Sequence, residues 1–554
     1  MKTKLLVTFS LVLTINAYAG SATWNLNPAT GDWSTAANWT PATVPNGPTD
    51  IATFDASNVS DVSLSANTEV SGVIFNPGAA AFTISPNPGT GLDITGTGVT
   101  NNSGVMQNFV ATVDTNLNHG FIQFWNNATA GSSITYTLKA APGPTYGGSI
   151  WFLGNSTAGS ATFVNEGGAM PASVTSGGSL NFENNSSAAE AIVMNYGGTT
   201  EGANGGEISF GAVSFQSTAT AANALIINYP ATVPAARGGC VTIYQGTTGG
   251  DATFINNGAS ASGAGGGVTT FTGGSAGNST LIANAGSNGG RGGEISFDAN
   301  SVGGTSRVQV FGNGFLDTSN SNVAIGSLEG DGIVDLGANP LSIGSNSLST
   351  VFSGLIRQHG LAIGSIIKIG PGTLTLTGAS TYTGGTTVNA GRLLLMNRTG
   401  HVVGTGPVQV NAGTLAGNAK VIGAITIGTG SGSGAILAPA KGTSIGRLTT
   451  KNMLTFNADG TYSWLVRSDT TVASQVIANG VTIAGGAQFS AAGNFGMTLP
   501  SGTEFNVLSN TSANPISGTF ANLADGATIN VNGTNFQANY EGGDGNDLTL
   551  TVVQ

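Results

Sequence analysis

Charge is what this chain has least of. Lys, Arg, Asp and Glu make up 7% of its 554 residues, against about 25% in an ordinary globular protein. The 15 Lys and Arg are outnumbered by 26 Asp and Glu, for a formal net charge of -11. Bases this few and this dispersed leave no electrostatic footprint for nucleic acid or for an anionic lipid surface, so neither is expected as a partner. Cys240 is the only cysteine, which excludes an internal disulfide. Stability must come from packing and hydrogen bonds. Long apolar runs are missing as well: past the first twenty residues nothing approaches the ~18 uninterrupted apolar residues of a transmembrane helix. The nearest stretch, "GLAIGSIIKIG", is short and carries Lys368. Nor does any window beyond the leader hold a 3.6-residue apolar period over ten or more residues, so helices are not expected.

What is abundant is glycine, at 88 positions, within a chain that is 40% hydrophobic. That hydrophobicity argues against disorder, which pairs low apolar content with high net charge. The start, "MKTKLLVTFSLVLTINAYAG", has Lys2 and Lys4, an apolar run from Leu5 to Ile15 and an A-x-A pattern at Ala17 and Ala19. These are the parts of a secretory signal peptide, with cleavage expected before Gly20. Its removal takes two lysines and brings the formal charge to -13. An exported, water-soluble product is expected, secreted or held at the cell surface, with the periplasm as the other compartment.

Between 148 and 311 the chain repeats. The pentads "GSIWF" (148–152), "GSLNF" (178–182), "GEISF" (206–210), "GCVTI" (239–243), "GVTTF" (267–271) and "GEISF" (293–297) recur at near-regular intervals. Each is followed, at an almost constant offset, by a second pentad: "ATFVN", "AIVMN", "ALIIN", "ATFIN", "TLIAN" and, loosely, "RVQVF". In the first pentad the third column (Ile150, Leu180, Ile208, Val241, Thr269, Ile295) and the fifth (Phe152, Phe182, Phe210, Ile243, Phe271, Phe297) form an apolar face at period two. The second column, mostly polar, is expected to face water. In the second pentad both phases are apolar, so its inward face stays open. Its final asparagines (Asn165, Asn195, Asn228, Asn256, Asn284) are expected in turns, where that residue tolerates a left-handed backbone.

One such unit cannot bury its apolar face alone, but stacked copies bury a continuous core. The expected fold is therefore all-β, a parallel β-solenoid piled at about 4.8 Å per coil. A β-propeller or a series of sandwiches is the alternative. Residues 20–50, with Trp24, Trp33 and Trp39 among prolines and asparagines, are expected to cap the first open coil; a carbohydrate-stacking site is the other reading of those tryptophans. The solenoid is expected over 51–495. Residues 496–554 shift to longer alternating strands with Asn-Gly turns, which suits antiparallel hairpins and a small sandwich-like C-terminal β cap.

Candidate chemistry is thin, and no catalytic, cofactor-binding or metal-ligating residue is assigned. Glu329, Asp331 and Asp335 in "EGDGIVD" are the densest acidic group before the tail, read as a solvated turn rather than a site. "GGDGNDLTL" fits part of a calcium-binding nonapeptide at Gly542, Gly543, Gly545 and Asp547, but in one copy where such ions sit between copies. The patterns "GTSIG" around Ser444 and "GGSAG" around Ser275 are what chance supplies at this glycine content, with no strand-to-helix elbow. His119, His359 and His401 lie far apart without partners at ligand spacing.

One stretch carries a resemblance. "GPGTLTLTGASTYTGGTTVNAGRLLL", Gly370 to Leu395, reads as a coil of strands "TLTLT", "TTVN" and "RLLL" joined at glycines, and it resembles the autotransporter-associated β-strand repeat of bacterial exported passenger proteins. "GTGPVQVNAGTLAG", "GAILAP" and the tail "YEGGDGNDLTLTV" are similar to what accompanies that repeat. The resemblance implies a secreted right-handed β-helix at the cell surface, adhesive or structural, with no catalytic residues to carry over and with glycans, matrix or cell-surface components as the partners to expect. A self-exporting member would end in a membrane barrel of some 250 or more residues. The chain as given ends at Gln554 straight after "DLTLTVV", so another export route, a periplasmic life or a holding partner is expected. The enzymatic rival is a polysaccharide lyase or glycosidase on the same solenoid.

Overall fold

The computed structural model describes residues 20–116, 118–143, 146–171, 176–212, 216–467, 472–494 and 499–554. The leader expected at 1–19 lies outside the described residues. The rest winds as a parallel β-helix, and among the described residues the regular structure is strand apart from a 3-10 turn at Ala36–Asn38.

Sheet 1 has fifteen strands from Ala22–Trp24 to Leu355–Gln358, parallel except for the antiparallel Trp39–Thr40 at its start. Sheet 2 climbs beside it from Asp61–Leu64 to Gln488–Asn494. A third, eight-stranded parallel sheet joins from Ala324–Ile325 to Val481–Ile483. The first pentads are strands of sheet 1 and the second pentads strands of sheet 2. One continuous core of buried apolar side chains runs from Ala22 to Val552.

Register is what the apolar columns require. Leu180 faces Ile150 below and Ile208 above, and Phe182 faces Phe152 and Phe210. The rings of Phe124, Phe152, Phe182 and Phe210 stack with centroids 4.8 Å apart, and Phe271 and Phe297 repeat that spacing. Each such ring contributes about 1.5–3 kcal/mol through burial and about 0.5–1.5 more through its aromatic neighbour. Corners between sheets 1 and 2 are cut by a column of hydroxyls. Thr157, Ser187, Thr220, Thr248 and Ser275 each accept a hydrogen bond from the backbone N–H two residues on. That next-but-one residue is left-handed, with φ +62° at Gly159, +49° at Ala189, +48° at Ala222, +58° at Gly250 and +62° at Gly277.

The second pentad, open in the sequence, turns its first, third and fifth residues inward: Ala161, Phe163 and Asn165 in the first copy. The asparagine expectation therefore needs correction. Asn165, Asn195, Asn228 and Asn256 are fully buried at strand ends, and none is left-handed. Their amides form a ladder, each Nδ2 donating to the next Oδ1 at 3.0, 3.0 and 2.7 Å and to a backbone carbonyl of sheet 1 as well. Being identical and in register, one amide supplies the donor and the next the acceptor, which satisfies the inner rungs and leaves Asn165 Oδ1 and Asn256 Nδ2 at the two ends without a partner among the described residues. The ladder stops at Asn256 because Ala283 takes the next register position, leaving Asn284 to reach Asn257 outside.

Past about residue 297 the winding shortens: Glu294 faces Phe315, Phe315 faces Ile333, and in sheet 3 Ile366 faces Thr386 and Thr386 faces Val408. Within the quoted stretch, Thr373–Leu376 and Arg392–Leu395 pair directly in sheet 2 with Thr386–Val388 of sheet 3 between them, so it holds one full coil and the first strand of the next. Leu374, Leu393, Leu415 and Leu437 stack there in place of the aromatic column. At the C-terminal end a seven-stranded sheet starts parallel, from Ala419–Val421 through Glu504–Asn510, and continues with Asp547–Val553, Thr534–Gly542 and Thr528–Val531 antiparallel. These hairpin strands extend a sheet of the solenoid itself.

Candidate binding groove

The residues singled out in the sequence do not converge. Trp24, Trp33 and Trp39 are buried to within 1% exposure, packed edge to face with centroids 5.0 Å apart over Phe54. Their indole N–H groups donate to the carbonyls of Val59, Pro45 and Trp33. They close the end of the core and offer no face to a sugar. The acidic trio is divided among three sets of partners. Glu329 takes a two-pronged hydrogen bond from Arg307 at 2.7 Å, which holds its carboxyl below the usual range. Asp331 accepts the Gly312 N–H at 2.8 Å, and Asp335, on sheet 1, pairs with Arg357. Asp547 accepts the Asn510 N–H at 2.8 Å with one oxygen and the Asn506 amide with the other, so it pins the last strand to its neighbour. Ser275 belongs to the corner ladder and Ser444 to a two-stranded hairpin. His119 and His401 sit at isolated bridges and His359 lies 3.5 Å from Asp335. Among the described residues no three His, Cys, Asp or Glu side chains are grouped to share a metal ion.

A site does form where the sequence was read as solvated strand surface. A groove of about 760 Å³ runs along the outer face of sheet 1, across five successive rungs. Its sheet wall is the second column of the first pentad, Glu207, Cys240, Val268 and Glu294, continued by Phe315. The opposite wall is Asn204, Arg237, Gly265, Arg291 and Asn313, three residues earlier in the first four rungs and two in the last. Behind that wall the long turns pack on a small apolar core of their own, Ala231, Ala236, Ala259 and Ala264.

Paired glycines make the floor. A Cβ on Gly205, Gly238 or Gly266 would lie 2.2, 2.1 and 2.1 Å from the carbonyl oxygen of Gly238, Gly266 and Gly292 respectively. No residue with a side chain fits at that approach, and the absence of side chains is what leaves the channel open. Neither Arg237 nor Arg291 has a carboxylate within ion-pairing distance among the described residues. Burial pushes the carboxyls of Glu207 and Glu294 up, Glu294 further so through Asp317 and against the opposing pull of Arg291 across the groove. The Cys240 thiol is pushed up to about 12 by burial and by Glu207, which makes it a lining group and not a nucleophile.

The sequence reading missed this groove. Its signal was the X-Gly-Gly placed before each pentad, with Arg at X in two copies.

Comparison with known proteins points to the scaffold. The model of the passenger-associated transport repeat family matches residues 366–395. Over 107 residues, 18% of this chain and 3% of the relative, the chain is 36% identical to an adhesin, the BmaC autotransporter of Brucella suis biovar 1 (strain 1330). The chain thus matches only a small part of that relative's length. The crystal structure of the Haemophilus influenzae Hap adhesin is similar over 91% of this chain and 64% of that one, with 9% identity and a TM-score of 0.22. By its repeat and its parallel winding, this chain is similar to autotransporter passenger proteins.

Proposed function

We propose that the chain is an exported, non-enzymatic adhesin-type rod, displayed at the cell surface or secreted, which binds glycan or matrix components along its flank. The passenger-type repeat and the adhesin relative support the surface role. The observation that carries the choice of binding over catalysis is the layout of the groove. Glu207 and Glu294 are three rungs apart, about 14 Å at the spacing of the stacked strands. Glycosidase carboxyl pairs stand about 5–9.5 Å apart, so these two cannot flank one glycosidic bond. A line of donors and acceptors spread over five rungs suits holding an extended molecule.

The test uses residues 20–554 purified and coupled to beads. Adherence to host cells and to matrix-coated plates, with no release of reducing or unsaturated sugar ends from a polysaccharide panel, is the expected result. Turnover of any polysaccharide would overturn the reading in favour of a carbohydrate-active enzyme.

A further inference from the structure

The groove's two walls differ in sign, and the difference is ordered. Arg237 and Arg291 lie on the turn side, two rungs apart, while Glu207 and Glu294 bracket Cys240 and Val268 on the sheet side. A chain with 7% charged residues has brought four charged groups to one channel, without an ion pair between the walls among the described residues. The two glutamates on the sheet wall are partly buried, which pushes their carboxyls up, and perturbed groups of this kind cluster at functional sites.

The backbone narrows the ligand class. The N–H groups of Gly206, Gly239, Gly267 and Gly293 donate to the carbonyls of Tyr196, Tyr229, Asn257 and Asn284, and those of Glu207, Cys240, Val268 and Glu294 donate to the rung below. Those donors are spent on holding the rungs together and are not offered to a strand laid along the groove. Recognition falls to the side chains. Guanidinium groups take carboxylates in a two-pronged fit. Carboxylates accept hydroxyls, and Val268 and Phe315 offer apolar surface to the C–H face of a sugar ring.

Resting on the adhesive reading above, we propose that this groove binds a linear anionic polysaccharide, with Arg237 and Arg291 each holding a carboxylate two sugars apart and Glu207 and Glu294 accepting hydroxyls from the intervening rings. The two-rung separation of the arginines is about 10 Å, close to the repeat of a polysaccharide carrying one carboxylate per disaccharide.

The experiment is biolayer binding of residues 20–554 to immobilised hyaluronate, with dextran and poly-glutamate as neutral-sugar and anionic-peptide comparators. Hyaluronate should bind in preference to both, and Arg237→Gln with Arg291→Gln should weaken it about tenfold or more. Arg447→Gln, an exposed arginine on a distant rung, should leave it unchanged. Arg237 and Arg291 are exposed, so an unchanged melting temperature checks that the double variant is folded. Equal binding to dextran or to poly-glutamate, no binding to hyaluronate, or hyaluronate binding indifferent to the double substitution would each overturn the proposal. Bead adherence of the same variant separates the two readings: undiminished adherence sinks the polysaccharide groove alone, while a wild-type chain that adheres to nothing sinks the adhesive role.

Discussion

The aromatic rungs between residues 148 and 311 and the aliphatic rungs between 366 and 437 solve one packing problem with different means. In the first region successive rungs are long, as from Thr269 to Ile295 or from Ile208 to Val241. Phenylalanines stack inside, an amide ladder runs beside them, and the surplus residues become long turns with a small core of their own. In the second, rungs are shorter, as from Thr386 to Val408, and the column is leucine on leucine. A short rung closes its coil and leaves nothing over. The groove and its two arginines lie along the long rungs and end at Phe315, where the rungs become short, whereas the transport-repeat match lies wholly in the short-rung region. Family likeness therefore speaks about the scaffold here, and specificity must be sought where the chain departs from the minimal coil.

The largest expected effect falls on the aromatic column. Phe182→Ala should cost about 3–5 kcal/mol, read as a lower denaturation midpoint, because the rings above and below cannot close the gap. If Leu393→Ala in the short-rung region costs more, the aromatic stack is not the firmer design. Next comes the amide ladder. Asn195→Ala breaks two links and leaves buried donors and acceptors of Asn165 and Asn228 facing a gap, for an expected loss of about 1–3 kcal/mol. A neutral result would mean that those amides are hydrated rather than laddered.

The short-rung region has its own irregularity to test. Lys368 is buried in the apolar column between Ile343 and Val388, its Nζ donating to backbone carbonyls of Ile369, Gly370 and Ala390. Burial lowers its pKa to about 8. The folded value lies below the unfolded one of about 10.4, so the folded state resists the proton. The resulting destabilisation is full below about pH 8 and fades as pH rises toward the unfolded value. Lys368→Met should therefore melt above the wild type at pH 7, with the gap shrinking toward pH 10; a gap that widens would contradict the burial argument. The smallest effect expected is at a corner. Ala222, at φ +48°, occupies a place that Gly159 and Gly250 fill in other rungs, and Ala222→Gly should raise stability by up to about 1 kcal/mol. A loss there would show that unfolded-chain entropy outweighs local strain.

Much of this architecture was legible at the level of columns. Ile150, Leu180 and Ile208 with Phe152, Phe182 and Phe210 face inward because alternation at period two is local and needs no knowledge of neighbours. The asparagine column was visible as a column and misplaced as a turn, since residue preference alone cannot tell a corner from a strand end whose amide is matched by its own copy. The groove was illegible for a nonlocal reason. Glu207 and Glu294 stand far apart in sequence, with two whole pentad units between them, and only the length of each intervening rung brings them to one wall. The glycine pairs take their steric role from the close approach of Gly238 to Gly266, which residue type alone does not reveal.

In-register stacking is most directly tested by distance measurement between spin labels in a Cys240→Ser background. Gln123, Trp151, Asn181, Ser209, Thr242 and Thr270 occupy one outward column of sheet 1, one rung apart each. Labels at Gln123 and Thr242 should lie about 19 Å apart and labels at Gln123 and Thr270 about 24 Å, one rung further. Separations that fail to lengthen by one rung between the two pairs would contradict the stacked winding on which the core, the ladder and the groove all depend.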